Sequence, residues 1–355
     1  MSALHVVVPD GVDDPRRPSG GNTYDRRVCT GLRDRGWVVR RREVAGPWPG
    51  PDPVSRAALR STLASIPDGA VVLLDGLVTS AVPEVVVPEG RRLRLVVLVH
   101  LPLGHGSGTR GDGARGERER AALGAAHHVV ATSGWTRDWL VDAYSLSPSR
   151  VSVVAPGADP AAVVQGSAGG GRLLCVGAVT ATKGHDVLVD ALGELADLDW
   201  SCRCVGAVTV DGPFADGIRA KALTGPVGAR IAMPGPRVGP ALDAEYAAAD
   251  LVLAPSRTET YGMTVTEALA RGVPVLGSRV GGLPEAMGTS PEGQVPGLLV
   301  RAGDAGALAG ALRTWLTDAG LRNRLRSVAL GRRATLSDWS ETTAGLDRVL
   351  SEVAA

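Results

Sequence analysis

Lysine is almost missing from this chain: in 355 residues it occurs only at Lys183 and Lys221, and arginine carries the rest of the positive charge. A sequence that otherwise chooses arginine has a reason for lysine where it keeps one. An excess of either charge is missing too. The formal net charge is +1, which leaves no global field to recruit nucleic acid or an acidic partner, so electrostatic specificity has to be local. Cysteine is limited to Cys29, Cys175, Cys202 and Cys204, and Cys202-Arg-Cys204 alternates along an expected strand without metal-ligand spacing. These four read as reduced core residues. No apolar run approaches the roughly eighteen residues of a membrane span. The N-terminus passes straight into a strand, Leu4 to Val8, without a basic flank and long apolar stretch, so the expected location is the cytoplasm. Repeats of a fixed short period are absent, as is a convincing nucleophile and base pair.

What the chain does have is alternation. Strand signals at about 4 to 8, 37 to 43, 70 to 75, 94 to 100, 127 to 132 and 150 to 154 alternate with helical patterns. A second set follows at about 172 to 176, 201 to 205, 229 to 233, 251 to 254, 273 to 276 and 297 to 301. This is the α/β pattern of parallel sheets covered by helices on both faces, and the length calls for two cores. The expected organisation is a doubly wound domain over 1–158, a flexible Gly-rich linker over 159–171, a second such domain over 172–336, and a closing amphipathic helix over 337–355 that returns to the first domain.

The most informative stretch runs from Ala254 through Pro-Ser-Arg-Thr-Glu259-Thr-Tyr261-Gly262-Met263-Thr264-Val-Thr-Glu267 to Gly281-Gly-Leu-Pro-Glu285. The run Leu251 to Ala254 is a buried strand ended by Pro255, where an α/β sheet presents its carboxyl ends to ligands. From Gly262 the spacing of Met263, Val265, Ala268 and Leu269 is helical, with Gly272 and Pro274 as stop signals. The first amides of such a helix lack intrahelical partners and sit at the positive end of its dipole, so they suit a diphosphate. Glu259 in the preceding loop and Glu267, about 7.5 Å further along the axis, flank that anion site. Carboxylates there suit a ligand with hydroxyls at both ends and phosphates between.

This block resembles the E-x7-E signature and following Gly-Gly-Leu-Pro-Glu segment of family 4 glycosyltransferases. The resemblance implies the GT-B fold: two Rossmann-like, doubly wound domains facing a cleft. It further implies that Glu259 contacts the donor sugar, that Glu267 contacts the ribose, and that the amides of Gly262, Met263 and Thr264, beside Tyr261, hold the diphosphate. The bland alternative is a surface helix with two solvated acids. A second landmark is Leu173-Leu-Cys-Val-Gly177-Ala-Val-Thr-Ala-Thr182-Lys183-Gly184. Family members typically place an Arg and a Lys-Gly here, both basic residues touching the diphosphate. Lys183-Gly184 matches, but the Arg position is Ala178, which leaves Thr180, Thr182 or Arg237 as substitutes. Read alone, Lys183 would be a solvated lysine at a helix terminus.

In the first half, Gly20, Gly21 and Asn22 follow strand one and open a helix, resembling the family's N-terminal Gly-Gly loop; by themselves they are an ordinary turn. His100 ends the strand Leu95 to His100. In retaining members a histidine at the corresponding strand end lies near the reacting sugar carbon, so His100 is the leading catalytic candidate, with Glu259 and Lys183. Its competing reading is a buried histidine satisfying a backbone carbonyl. Asp75, at another strand end, and His105, in a Gly-rich loop, are candidates for acceptor contact; Asp75 is equally a turn former. Asp197-Leu-Asp199 precedes a strand, so no catalytic metal is expected.

The implied function is a retaining, metal-independent transfer of a sugar from a nucleoside diphosphate sugar, as co-substrate and with no other cofactor, to a small-molecule, glycan or lipid-like acceptor. Alternatives on the same fold are a non-catalytic nucleotide-sugar-binding subunit, which Ala178 keeps open, and a sugar-nucleotide epimerase. Arginines from Arg26 to Arg42 around Trp37 suggest a peripheral membrane patch, against the plainer reading of a solvated basic face.

Overall fold

The computed structural model describes residues 3–105, 113–225 and 227–355. Twelve strands form two parallel six-stranded sheets. The first comprises β1 (Ala3–Pro9), β2 (Val38–Val44), β3 (Val71–Asp75), β4 (Arg94–Val99), β5 (His128–Ala131) and β6 (Val151–Val153), in the order β2-β1-β3-β4-β5-β6. The second comprises β7 (Arg172–Val176), β8 (Ser201–Val205), β9 (Ile231–Gly235), β10 (Leu251–Ala254), β11 (Val275–Ser278) and β12 (Gly297–Val300), in the order β12-β11-β10-β7-β8-β9. Each expected strand is present, with ends displaced by two residues at most.

The central strands read as near-continuous Val/Leu runs because helices cover both of their faces. In β3 and β10 every residue is buried. One face of the first sheet packs Leu59, Leu63, Val72, Val97 and Leu140, and the other packs Leu4, Val28, Leu32, Val96 and Leu346. The second sheet repeats the arrangement, with Leu188, Leu192, Leu312 and Trp315 on one face and Val265, Leu269, Val275 and Leu283 on the other. All four cysteines are free and buried.

Both strand orders are doubly wound, and in such sheets ligands gather outside the carboxyl ends where the order reverses. That point lies between β1 and β3 in the first sheet, and between β10 and β7 in the second.

Two compact units result. One contains residues 1–13, 20–157 and 339–355; the other contains 14–19 and 158–338. The helix Trp339–Ala354 belongs to the first unit, burying Leu346, Val349 and Leu350 while Asp347 accepts the indole N–H of Trp37 at 2.8 Å. The stretch expected to be a flexible linker is instead bound to the second unit. Fully buried Asp250 accepts from the Ser167 hydroxyl at 2.6 Å and the Arg172 amide at 2.9 Å, the Val164 amide donates to the Arg271 carbonyl, and Trp315 Nε1 donates to Gly170 O at 2.8 Å. A buried carboxylate needs these donors, and the Gly/Ser segment supplies them. The arginines near Trp37 also have local partners. Arg41 pairs with Asp13 and Glu43, Arg35 with Asp347, and Arg40 to Arg42 lie on β2, where charge protects a sheet edge. Among the described residues no helix is long and apolar enough to cross a membrane.

Candidate functional site

Each reversal point carries a cluster of the expected residues. In the first unit, helix Gly20–Asp34 leaves β1 and turns Tyr24, Val28, Cys29 and Leu32 inward. Asp25 lies on the same stripe, three residues before Val28, and is only 2% exposed. It meets His100, whose Nε2 stands 3.0 Å from Asp25 Oδ1 and 3.9 Å from Asp75 Oδ2. Asp75 ends β3 and caps the next helical turn, accepting from the Leu77 amide at 2.6 Å. Tyr24 packs edge-on against the imidazole at 5.3 Å. A Cβ on Gly21 would stand 3.1 Å from His100 Cδ2, so the start of the helix, with Gly20 and Asn22, lies beside the ring. The partner of His100 is therefore a pair of carboxylates and not a backbone carbonyl.

The electrostatics of this cluster follow from burial and proximity. Burial, and then the neighbouring Asp25 charge, push the Asp75 carboxyl up to about 7. Burial disfavours the charged imidazole of His100, but the Asp25 charge and hydrogen bond, with Asp75, outweigh it and the net shift is upward. Among the described residues no hydrogen-bond donor reaches buried Asp25 Oδ2. The donor atoms of the three groups lie within 4.8 Å of one another, a spacing that a cation would bridge. Sequence reasoning missed Asp25; the available signal was an acid on the apolar stripe of an amphipathic helix.

His105 is placed differently from expectation. Its ring packs edge-on against Trp135 at 4.9 Å and Trp139 at 5.5 Å, and burial lowers its pKa, so it anchors an aromatic cluster. The Gly-rich stretch that follows it, 106–112, lies outside the described residues.

In the second unit, Lys183 ends the short 3-10 turn Ala181–Lys183 after β7, and its Nζ donates to Glu259 Oε2 at 2.5 Å. Glu259 stands in the loop between β10 and helix Met263–Leu269, whose N-cap is Gly262 at φ 106°. That loop is braced from behind. The Gly282 amide donates to Glu259 O at 3.0 Å, and a Cβ on Gly281 would fall 1.7 Å from the same oxygen, so only glycine fits. It is also latched sideways: Arg257 holds Asp186 through two bonds of 2.6 and 2.7 Å, and its amide donates to Thr182 O at 2.8 Å. The hydroxyls of Thr180 and Thr182 bond each other at 2.9 Å next to Lys183.

Glu267, expected at the ribose, already accepts the Tyr246 hydroxyl through Oε2 at 2.6 Å. Burial raises its pKa against the opposing pull of Tyr246 and Arg271. Tyr261, Met263 and Thr264 are half-buried around the helix start, and burial pushes the Tyr261 phenol up to about 12. Gly177 and Val179 continue the β8 ladder through amides donating to Val205 O and Ala207 O, with half-buried Ala178 between them. Arg237 follows β9 and donates to the Pro236 carbonyl at 3.2 Å. Asp197 of the Asp-x-Asp pair is bound to Arg313, at 2.7 and 3.0 Å.

Comparison with known proteins matches the two halves separately. Residues 6–162 fit the family model described as Glycosyltransferase Family 4, and residues 170–318 fit Glycosyl transferases group 1. The chain is 34% identical over 252 residues to D-inositol 3-phosphate glycosyltransferase 1 of Catenulispora acidiphila, covering 66% of this chain and 58% of that protein. It is 35% identical over 237 residues to D-inositol 3-phosphate glycosyltransferase of Corynebacterium glutamicum, covering 61% and 55%. It therefore spans under two thirds of the length of these relatives. In fold it resembles sucrose-phosphate synthase from Thermosynechococcus elongatus (TM-score 0.79, 20% identity, 99% of both chains). It also resembles Anabaena HepE in complex with UDP and glucose (TM-score 0.76, 17% identity, 99% of this chain and 100% of that one).

Proposed function

This chain belongs to the family 4 glycosyltransferases with the GT-B fold, and we propose that it transfers a sugar from a nucleoside diphosphate sugar to an acceptor hydroxyl, with retention and without a metal. The observation that carries this reading is the Lys183–Glu259 pair at the reversal point of the second sheet, braced by Gly281 and Gly282. An ammonium has three donors, so Lys183 can keep Glu259 and still take a phosphate oxygen. The amides at the start of helix Met263–Leu269 add neutral donors to the same diphosphate. Glu259 is then positioned to read sugar hydroxyls. HepE, whose structure holds UDP and glucose, supports a uridine nucleotide as the first donor to try.

In this reading the bond between the anomeric carbon and the diphosphate oxygen breaks, the acceptor oxygen bonds to the same face, and the departing diphosphate takes the acceptor proton. No protein base is needed. The family resemblance assigns His100 to the reacting carbon; within its own unit its Nε2 stands 3.0 Å from Asp25 Oδ1, and that carboxylate would favour the positive charge that develops on the sugar.

The test combines binding with turnover. UDP-sugars are titrated into wild type and Glu259→Gln, and transfer is followed over an acceptor panel with EDTA and with added divalent ions. Loss of transfer in Glu259→Gln with nucleotide binding retained, an α-linked product from an α-linked donor, and indifference to EDTA are expected. Unchanged transfer in Glu259→Gln would sink the site assignment, and a divalent requirement lost in Asp25→Asn would overturn metal independence and put a cation at the Asp25, Asp75 and His100 cluster.

A further inference from the structure

We propose that Asp25, Asp75 and His100 form a binding site for a borderline divalent ion such as Zn²⁺, and that the ion switches transfer off by occupying His100. The switch rests on the transferase reading; the binding does not. Asp25 comes from helix Gly20–Asp34, Asp75 ends β3 and His100 follows β4, so three separate elements bring their side chains to one point.

The distances suit such an ion. His100 Nε2 stands 3.0 Å from Asp25 Oδ1 and 3.9 Å from Asp75 Oδ2, and one ligand atom from each residue lies within 4.8 Å of the other two. Ligands bonded at about 2.0 to 2.2 Å to a tetrahedral zinc stand roughly 3.3 to 3.6 Å apart, and the two histidine separations bracket that range. Nε2 faces both carboxylates and can donate one proton at most, whereas a divalent ion bonds to all three groups at once. A second observation points the same way. Asp25 is buried, and among the described residues no donor reaches its Oδ2. A buried carboxylate oxygen without a donor is costly, and a bound cation removes the cost.

The groups behind these ligands are already in place. The other oxygen of Asp75, Oδ1, accepts the Leu77 amide at 2.6 Å and leaves Oδ2 toward the imidazole. The ring itself is fixed by Tyr24, edge-on at 5.3 Å, and by the close approach of Gly21. Such outer contacts orient ligands before a metal arrives. Among the described residues the charges acting most strongly on Asp75 and His100 are those of the cluster itself, with no arginine among them. One imidazole and two carboxylates are a mixed nitrogen and oxygen set that suits Zn²⁺, whereas Mg²⁺ holds to oxygen and demands an octahedral shell. Three protein ligands leave a fourth position for water. The His100 side chain is 18% exposed, which gives the ion a way in. In the transferase reading an ion there sets positive charge beside the carbon on which positive charge develops, the reverse of what the free carboxylates do.

The test uses the full chain, stripped with EDTA and desalted. Zn²⁺ is titrated into wild type, Asp25→Asn, Asp75→Asn and His100→Gln against a chromophoric chelator, and Co²⁺ is titrated in parallel because its visible bands report the ligand set. Wild type should bind one ion with the cobalt spectrum of a four-coordinate nitrogen and oxygen site, and a large excess of Mg²⁺ should not displace it. Each variant should bind at least about tenfold more weakly, the loss that follows from disturbing even the residues behind a metal shell. Melting temperatures without metal show that the variants are folded, and Zn²⁺ should raise that of wild type far more than theirs. One equivalent of Zn²⁺ should abolish transfer by wild type, and EDTA should restore it. No binding by wild type, variants that bind as tightly as wild type, or cobalt bands of thiolate ligation would each overturn the site. Full turnover with the ion bound at the cluster would overturn the switch. Failure of the transferase reading looks different: no transfer occurs with or without the ion, while cobalt still reports the site.

Discussion

The two halves of this molecule solve the same topological problem with opposite materials. At the reversal point of the first sheet stands a buried cluster of side chains, Asp25, Asp75 and His100, drawn from three separate elements. At that of the second stands a half-exposed ion pair, Lys183 and Glu259, held by backbone in close approach: Gly281 against the Glu259 carbonyl and the Gly282 amide bonded to it. A side-chain cluster can be changed by one protonation event. A backbone cradle cannot, and it is the half suited to a ligand group with fixed shape and charge, such as a diphosphate.

The largest effect that tests this contrast is expected in the second half. Glu259→Gln keeps the size of the side chain but removes the charge that pairs with Lys183, and should lower kcat by a hundredfold or more, on the order seen when a preorganised electrostatic contact is lost. Single-turnover assays at saturating donor measure it. A drop confined to KM would mean that the pair only binds.

In the first half the expected loss is smaller and depends on pH. Asp25→Asn preserves a hydrogen-bond acceptor for His100 but removes the charge that raises its pKa, so kcat should fall about tenfold, below the roughly hundredfold or more that a group transferring a proton itself contributes, because Asp25 acts through His100. The acidic limb of the pH–rate profile should also move toward lower pH, since the imidazole then loses its proton earlier. A merely structural Asp25 would lower the rate without moving the limb.

How legible these sites were follows from the same contrast. The cradle left a local pattern, because close backbone approach demands glycine at fixed offsets and the Glu259 loop, Gly262 and Gly281-Gly282 fall within thirty residues. The strands were legible because buried parallel strands are continuous apolar runs. The Asp25 cluster left no such pattern: its members are fifty and twenty-five residues apart, and only the fold makes them neighbours. Glu267 was legible as a residue but not in its state, since the Tyr246 hydroxyl that occupies it comes from a different helix. The segment 159–171 had a linker's composition and yet is pinned by Asp250, which composition cannot report.

Stability offers a third test. Asp75 keeps its proton in the folded chain up to about 7, whereas the unfolded chain releases it near pH 4. Between those values the native state binds more protons than the unfolded state, so stability falls as pH rises. His100, also shifted upward, contributes stability below its ordinary pKa that is lost as pH rises through the folded value. Asp75→Asn can still accept from the Leu77 amide as the cap of its helical turn, and should flatten the decline in Tm between pH 4 and 7, at roughly 2–4 °C per kcal/mol for a unit of this size. A slope unchanged from wild type would mean that Asp75 is ionised throughout.

The smallest effect concerns Ala178, where family members typically carry an arginine. Ala178→Arg returns a guanidinium to the loop after β7, and the position tolerates a longer side chain: Ala178 is half-buried, and its neighbours Gly177 and Val179 are held through backbone bonds that a side chain does not disturb. If Lys183 and the helix amides already neutralise the diphosphate, the added charge should tighten donor binding by a few-fold at most, because a partly solvated phosphate contact contributes about 1 kcal/mol. If the cradle is short of charge, the gain should be tenfold or more and should shrink with added salt. A large salt-dependent gain would show that the backbone cradle is incomplete by itself, and that the contrast between a side-chain site and a backbone site holds only for its sugar end.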